Sequence, residues 1–462
     1  LEMKKSNQSK VTRHKSSTSS QVSAVSRKST VSRSTLSKVK VADTSSVATS
    51  VQTQHTDVQE DRHKGSDEDK MMYDKIGKSL ATKSYYHGFM PREDVEASMK
   101  AVGDFILRRS SVNGKSAFIL SVKVMTASKD AKHMHIRIGF KNNAWSIAED
   151  VTRANLTTLM TYYQSHPSTF STAPGPLLKH GVPRPEFYIL HENIDIGKEI
   201  GKGAFGTVHV GSLRRDNDKI DVAIKKMKND KIAKKDLIEF FKECRLMLRF
   251  NHANVVKIYG VAPGDTPVLI ALELASGGSL KSYCKKNDPS VEQMTNFAKD
   301  ACKGMHYLQC EKVIHRDLAA RNCLLGPKNE VKISDFGLSH MGTTLELTKM
   351  TNVPIKWLSP ETLTKGRFSH KSDVWSYGVL LWEIFTKCAT DPFPGMTNKE
   401  ARVNILEKRP PMDPIPCMPD VVKETMAICF TFDEEDRPDF TGVMRKLIPD
   451  AKFVLSEYIS KV

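Results

Sequence analysis

Separated positions in this chain carry side chains suited to moving a phosphoryl group. In chain order they are Gly201, Gly203, Gly206, Lys225, Asp317, Asn322 and Asp335. Glycine lets the backbone approach a polyphosphate closely, and a lysine supplies a point charge for it. One carboxylate can accept the proton of an attacking hydroxyl, while Asn and Asp oxygens suit Mg²⁺. The set indicates phosphoryl transfer from a nucleotide.

The glycine spacing alone does not distinguish a phosphate loop from a dinucleotide fold, because both use GxGxxG. A dinucleotide site would continue into a helix. Here residues 208–210 and 222–224 predict strands, and Lys225 ends the second of them. The pattern therefore favours glycines above a β-hairpin that covers a triphosphate.

An amphipathic helix is predicted from about residue 235 to 248, and Glu243 lies on it. A carboxylate there can pair with Lys225 and hold the lysine at the phosphates. Glu243 by itself also fits an ordinary surface charge, so the downstream residues decide. Asp317, followed at five residues by Asn322 and then by Asp335, completes the set for phosphoryl transfer.

Residues 194–447 resemble the protein kinase catalytic domain. The resemblance rests on the motifs above and on Ser359-Pro360-Glu361, Asp373-Val374-Trp375 and Asp436-Arg437-Pro438. It implies a bilobal fold that uses ATP and Mg²⁺, a buried Glu361–Arg437 pair, and bracing of the catalytic loop by Asp373. The implied catalytic residues are Asp317, Lys225, Glu243, Arg321 and Asn322, and the implied metal ligands are Asn322 and Asp335. The implied ATP contacts are Ile200, Gly201, Lys202, Gly203, Ala204, Phe205, Gly206, Val208, Ala223, Lys225, Glu273 and Leu324.

The same resemblance indicates which hydroxyl is phosphorylated. Serine/threonine kinases usually carry Lys where this chain has Ala319, whereas Ala319-Ala320-Arg321 and Pro354-Ile355-Lys356-Trp357 look like tyrosine kinases. The form with Arg321 is most similar to the Fes/Fer non-receptor group. A pseudokinase adaptor is the alternative. It would be indicated by replacement of any of Lys225, Glu243, Asp317, Asn322 or Asp335, and none is replaced.

A smaller module is predicted upstream, with helices at 92–100 and 156–164 and strands at 105–108, 117–124 and 133–138. Asn113-Gly114 predicts a hairpin turn between the first two strands. Arg108 on the first strand can make two parallel bonds to a phosphate, although a lone strand arginine is usually a salt-bridge partner.

Residues 85–181 resemble an SH2 domain, an antiparallel sheet flanked by two helices. Tyr85-Tyr86-His87-Gly88 resembles its opening motif. The implied phosphotyrosine-binding residues are Arg92, Arg108, Ser110, Ser111 and His133. His135 stands where many relatives carry Lys, which leaves the ligand preference open.

No tyrosine occurs between Asp335 and Glu361, the loop in which most tyrosine kinases are phosphorylated. We hypothesise that Glu346, or phosphorylation of Thr344 or Thr348, instead offers negative charge to Arg316.

The N-terminal forty residues hold 16 Ser or Thr and ten Lys or Arg against one acid, in a chain of net charge +17. Such a segment buries too little apolar area to order itself. It is predicted to be a solvated linker, or to attach electrostatically to an anionic membrane and be released by phosphorylation. A nucleic-acid partner is not expected, because no binding motif with interleaved aromatics accompanies the charge.

Eight scattered cysteines without paired spacing fit reduced thiols, and no run of eighteen apolar residues predicts a membrane span. The expected location is the cytoplasm, with peripheral contact at the cytoplasmic face of the plasma membrane. Phosphotyrosine proteins and tyrosine substrates are the expected partners. The predicted α+β multidomain organisation is a disordered tail at 1–82, an SH2 domain at 83–181, a linker at 182–193, a kinase domain at 194–450 and a tail at 451–462.

Overall fold

The computed structural model describes residues 67–112, 115–148, 151–203, 206–216, 218–227, 234–350, 353–407 and 410–450. The predicted turn at Asn113-Gly114, the predicted ATP contacts Ala204 and Phe205, and both terminal tails up to residue 66 and from residue 451 lie outside these ranges. None of the helices in the described ranges is both long and apolar enough to cross a membrane.

The smaller domain is built on a sheet with strand order β3-β2-β1-β7, in which the first three strands are antiparallel and β7 runs parallel to β1. A second small sheet, β4-β5-β6, stands beside it. The elements are α1 Asp67–Ser79, α2 Arg92–Ser98, β1 Asp104–Val112, β2 Lys115–Met125, β3 Ala131–Arg137, β4 Gly139–Lys141, β5 Ala144–Ser146, β6 Thr152–Arg153, α3 Leu156–Ser165 and β7 His180–Gly181.

Strand β1 is buried on both faces of the sheet. Its side chains point alternately to the domain core and to the face that carries Arg108. Phe105 and Leu107 point into the core that α3 closes. Ile106, on the other face, belongs to a core cluster with Val95 on α2. Arg108 lies on that second face, two residues after Ile106.

Helix α1 corrects the prediction that residues up to 82 are disordered. Leu80, just beyond the helix, is buried, and the Tyr73 ring packs 5.3 Å from that of Phe118. Asp74 pairs at 2.6 Å with the buried Arg109. The basic, Ser-rich segment before it dominates the composition. Because of this composition, the apolar residues of α1, which are spaced as on one face of a helix and pack against the domain core, were not recognised.

The predicted linker at 182–193 joins the sheet of the larger domain. Tyr188 pairs in parallel with Val261, and hydrogen bonds run from Ile189 N to Val261 O at 2.8 Å and from Val261 N to Phe187 O at 2.9 Å. The segment therefore extends the edge of that sheet instead of spanning solvent.

The larger domain divides into a five-stranded antiparallel sheet, order β11-β12-β10-β9-β8, with helix α4, and a mainly helical part. The first part consists of β8 Ile194–Lys202, β9 Gly206–Arg215, β10 Asp218–Met227, α4 Lys234–Met247, β11 Ile258–Ala262 and β12 Leu269–Glu273. The second consists of β13 Gly278–Ser279, α5 Leu280–Lys286, α6 Val291–Cys310, β14 Val313–Ile314, β15 Cys323–Leu325, β16 Val331–Ile333, β17 His340–Met341, β18 Thr344–Glu346, α7 Pro360–Lys365, β19 Arg367–Ser369, α8 His370–Phe385, α9 Asn398–Leu406, α10 Asp420–Cys429 and α11 Phe440–Leu447.

Helix α8 lies at the centre of the helical part. All but its first two residues are buried. Most of their side chains are apolar, and the buried acids Asp373 and Glu383 accept hydrogen bonds. Its N-terminus is fixed by a capping box between Ser369 and Ser372. One turn later, the buried Asp373 points toward the loop that carries the candidate chemistry.

Candidate active site

The glycine-rich segment forms the hairpin of β8 and β9, as predicted. Gly201 pairs with Val208, and Gly203 N donates to Gly206 O at 2.8 Å. A Cβ on Gly206 would stand 1.8 Å from Lys226 O, so no other residue fits there. The strand-turn-strand form excludes the dinucleotide alternative, which requires a helix after the glycines.

Lys225 and Glu243 form the predicted ion pair between β10 and α4. Lys225 Nζ lies 2.6 Å from one Glu243 oxygen and 2.8 Å from the other. Both side chains are largely shielded from water, which strengthens their attraction. Helix α4 thus fixes the lysine directly beneath the glycine-rich hairpin, since Lys225 and Val208 are paired across β10 and β9.

Asp317 is held by both neighbours that the sequence placed with it. Arg321 donates to Oδ1, and Asn322 Nδ2 donates at 2.8 Å to Oδ2 and at 2.7 Å to the Asp317 carbonyl. The carboxylate is therefore oriented before any substrate arrives, as a proton acceptor requires.

The loop around Asp317 is clamped from below by Asp373, as the kinase resemblance implied. His315 N and Arg316 N donate to the two Asp373 oxygens at 2.7 and 2.9 Å. His315 Nε2 lies 3.1 Å from Ser334 O and therefore carries the proton, which leaves Nδ1 to accept from Asp317 N. Burial raises the Asp373 pKa to about 6.

Asn322 and Asp335 are tied to each other through Ser334. Ser334 donates from both N and Oγ to the Asn322 carbonyl, at 2.9 and 2.8 Å. Because Asn322 Nδ2 is occupied by Asp317, its side-chain oxygen remains to face a cation. Asp335 adopts φ +65°, a left-handed conformation, and the next residue, Phe336, is buried against Phe250. Two hard oxygen donors on joined loops suit Mg²⁺.

The other predicted ATP contacts lie on β8, β10 and β15, which the kinase resemblance places around a nucleotide cleft. Ile200 on β8 is 53% exposed, Ala223 lies on β10 opposite Leu272, and Leu324 lies on β15. Lys202 ends β8.

Glu273 at the end of β12 differs from the other residues of the cleft. Both of its carboxylate oxygens are engaged, with Lys332 Nζ at 2.9 Å and Lys257 N at 3.2 Å. Any contact of Glu273 with nucleotide must therefore come from its main chain.

Arg321 connects the loop that carries Asp317 to Trp357. Its guanidinium lies 4.6 Å from the centre of the Trp357 ring. Trp357 Nε1 donates to Glu383 at 3.1 Å, and Ala320 N donates to the same oxygen at 2.9 Å. The predicted Glu361–Arg437 pair is also present and buried, at 2.8 Å.

The predicted phosphate site of the smaller domain gathers on the face of the sheet beneath α2. Arg108 is 9% exposed and donates from Nε to Ser121 Oγ at 3.2 Å, and in the described chain it forms no ion pair. Burial, with Arg92 nearby, lowers its pKa to about 10. The buried Nε2 of His133 has no hydrogen-bond partner among the described residues. The two arginines, Arg108 and Arg92, therefore make this face an anion site.

Comparisons with known proteins agree with this geometry. A family model described as protein tyrosine and serine/threonine kinase matches residues 194–447, and an SH2 domain model matches residues 85–163. This chain belongs to the SH2-containing tyrosine kinases. The multidomain α+β fold, with the SH2 domain first and the kinase domain second, is thereby confirmed, and ATP use follows from the kinase family.

Curated relatives place the chain in the Fer and Fps group. Tyrosine-protein kinase Fer of Homo sapiens is 36% identical over 80% of this chain and 44% of its own length. Fer-related kinase 1 of Caenorhabditis elegans is 35% identical over 80% of this chain and 94% of its own length. The transforming protein Fps of avian sarcoma virus (strain PRCII) is 33% identical over 81% of this chain and 68% of its own length. The chain therefore spans less than half the length of the human Fer protein.

The loop between Asp335 and Glu361, the activation segment of the kinase domain, does not bring Glu346 to Arg316 as we hypothesised. Glu346 lies on β18 directly opposite Arg367 on β19 and forms no ion pair with Arg316 in the described chain. Arg316 stacks 4.5 Å above the Phe368 ring and donates to Leu338 O at 2.6 Å. The Glu346 hypothesis is wrong here because backbone pairing keeps Glu346 on an exposed strand while an aromatic face takes the arginine. Phosphorylation of Thr344 or Thr348 stays a prediction.

The sequence did not identify every residue of the SH2 pocket. Ser121, His135 and Glu96 line it through direct hydrogen bonds. Ser110 and Ser111 lie at the end of β1, half-buried, opposite Ala117 and Ser116. Strand alternation was the available signal for His135, since it shares a face with His133.

A direct contact between the domains was also missed. Arg245 on α4 donates to Asp94 on α2 at 2.7 Å and lies 3.5 Å from Glu93. Phe89 N donates to Pro263 O at 2.7 Å, close to Gly88, whose φ is +58°. A Cβ on Gly88 would stand 2.1 Å from that carbonyl. The SH2 domain therefore packs directly on the helix that carries Glu243.

Proposed function

We propose that this chain is an active protein-tyrosine kinase, transferring the ATP γ-phosphate to tyrosine in proteins. The observation that carries the proposal is the oriented Asp317 carboxylate, held between Arg321 and Asn322. The Lys225–Glu243 pair supports it, because it sets the lysine that serves the phosphates. The relatives named tyrosine-protein kinases support tyrosine as the acceptor. The tyrosine-kinase-like segment Pro354-Ile355-Lys356-Trp357 supports it too, and its Trp357 contacts Arg321.

The proposed chemistry divides between a bound cation and the side chains of this chain. Mg²⁺ held by Asn322 and Asp335 would neutralise charge on the phosphates. Asp317 accepts the proton of the tyrosine hydroxyl, and Arg321 keeps that carboxylate turned toward the acceptor. Lys225 supplies a fixed positive charge beneath the glycine hairpin. The apolar side chains of Ile200, Ala223 and Leu324 would pack against the bound nucleotide.

Activity is tested with purified full chain, Mg²⁺, ATP and poly(Glu,Tyr). We expect Asp317→Asn to lower turnover by about two to four orders of magnitude with nearly unchanged ATP affinity, because only the proton acceptor is lost. Asp413→Asn, an exposed acid far along the chain, is the control and should keep full activity. Equal labelling by wild type and Asp317→Asn would instead identify the chain as a scaffold.

SH2 docking to phosphotyrosine proteins is the second part of the proposal. Arg108 and Arg92 supply the cations, and Ser121 orients Arg108. Arg108→Leu should abolish binding of phosphotyrosine ligands and leave labelling of a free peptide largely intact. The unphosphorylated ligand is the control. Unaltered binding by Arg108→Leu would remove this site.

We further propose a cytoplasmic location, with peripheral binding of the basic N-terminal segment to anionic membrane. The ten Lys or Arg in the N-terminal forty residues support it, at about 1 kcal/mol each when close to the surface. Sedimentation with vesicles containing phosphatidylserine should be lost at high salt and in a chain that starts at residue 63. Equal sedimentation with neutral vesicles would contradict this proposal.

A further inference from the structure

A carboxylate of the SH2 domain lies inside the cationic pocket. Glu96 is one helical turn after Arg92 on α2, and its Oε1 accepts from Arg92 Nε at 2.7 Å. The same oxygen accepts from His135 Nε2 at 2.7 Å. One anionic atom thus bridges the helix and β3 at the place where the pocket cations converge.

The hydrogen bonds around Glu96 have a single consistent direction. His135 Nε2 donates to Glu96, so its Nδ1 must accept, and Ser121 Oγ donates to Nδ1 at 2.8 Å. Ser121 in turn accepts from Arg108 Nε at 3.2 Å. A continuous chain therefore runs from Arg108 to Glu96 through an uncharged imidazole. Burial lowers the His135 pKa, which keeps that ring neutral.

The charge count shows what Glu96 does to the pocket. Arg92 and Arg108 contribute two positive charges, His135 contributes none, and Glu96 removes one. The hydrogen bond from Arg92 lowers the Glu96 pKa, so this carboxylate is ionised at neutral pH. A phosphotyrosine brings close to two negative charges to the same cations, and a nearby glutamate repels it.

We propose that Glu96 is an internal competitor of the phosphate, an affinity-limiting residue that occupies Arg92 and His135 until a phosphotyrosine displaces it. This inference rests on the proposed SH2 docking. It differs from a purely positioning role for Glu96. The Arg92 and Glu96 side chains are 59% and 29% exposed, and an exposed pair of this kind fixes little. Repulsion of a dianion in the pocket is the larger effect.

The test titrates the full chain with N-acetyl-O-phosphotyrosine amide, a probe that needs no knowledge of the preferred peptide sequence. Glu96→Gln keeps the shape and the hydrogen-bonding oxygen and removes the charge. We expect it to bind the probe about tenfold more tightly than wild type, with a steeper dependence on salt. Glu93→Gln is the matched control, because it removes the same charge from the same helix but points to Arg245. It should change affinity less than about twofold.

A second probe separates charge from shape. The corresponding tyrosine sulfate carries one negative charge, so the same substitution should improve its binding by only about threefold. Equal gains for the two probes, or binding by Glu96→Gln that is unchanged or weaker, would overturn the inference while leaving docking intact. Absence of Arg108-dependent binding in both wild type and Glu96→Gln would overturn the docking proposal as well. A urea unfolding midpoint that matches wild type shows that Glu96→Gln is folded.

Discussion

At the scale of single residues, the kinase site depends on side chains that orient other side chains. Arg321 contacts Asp317 through one edge and Trp357 through its flat face. Lysine can replace the charge but neither the plane nor the fork of donors. Glu383, whose pKa is raised by burial, holds both Trp357 and Ala320, so the group acts as one unit.

Arg321→Lys should therefore lower turnover on a tyrosine peptide by about ten- to a hundredfold, because Asp317 loses its fixed partner. The KM for ATP should change little, since the cleft is untouched. Steady-state kinetics with both substrates varied will separate the change in turnover from the KM for ATP. Arg214→Lys, at an exposed ion pair on β9, serves as the control. A rise in the KM for ATP alone would contradict this role.

At the scale of elements, α1 is a structural part of the SH2 domain. Arg109 is 1% exposed, and its carboxylate partner is Asp74 on α1. Removing α1 would take this partner from Arg109 and uncover the core side chains that Tyr73 and Leu80 contact, so the domain should lose stability. A chain starting at residue 83 should unfold at lower urea concentration than one starting at residue 63, which keeps the helix. Coincident unfolding curves would show that α1 adds nothing.

The contact between α2 and α4 gives a second prediction at this scale. Burial raises the Asp94 pKa, and Arg245 is the partner that offsets it. Arg245→Ala should loosen the SH2 domain from α4, with faster hydrogen exchange in both helices and reduced turnover. Lys235→Ala, exposed on the same helix, is the control. Exchanging the charges with Arg245→Asp and Asp94→Arg together should restore protection if the pair itself matters.

The predictability of these elements differed for a physical reason. Asp317 and Asn322 belong to one local motif whose spacing follows from the chemistry. Lys225 and Glu243 lie on separate elements, and their pairing was predicted because the downstream motifs indicated a kinase. Helix α1 was missed because composition was averaged over a segment dominated by Ser and Lys. Partners such as Glu96 with His135 come from separate elements, and only tertiary packing brings them together.

At the scale of the whole molecule, buried histidines make stability depend on pH. Burial lowers the pKa of His87, His252 and His370 to about 4 from 6.5. Their folded-state pKa lies below the unfolded value, so the unfolded chain binds more protons between these limits. The free energy of unfolding should therefore fall as pH drops from about 6.5 toward 4.

Urea unfolding at pH 7.5, 6 and 5 measures this loss. His87 donates to Val182 O at 3.0 Å where the two domains meet, and His87→Gln keeps a donor without the titration. This variant should show a shallower pH dependence than wild type. His180→Gln, at an exposed histidine, is the control. A wild-type stability that rises on acidification would contradict the burial argument.

The stacking of Arg316 on Phe368 has a consequence for the time course of the reaction. A kinase that must first modify its own activation segment starts slowly and accelerates as the modified form accumulates. Here Arg316 already contacts the Phe368 ring and the Leu338 carbonyl, and the segment contains no tyrosine to modify. Freshly purified, phosphatase-treated enzyme should show a linear progress curve from its first turnovers. Tyrosine self-modification of this segment would therefore add no lag to the response and store no record of earlier stimulation.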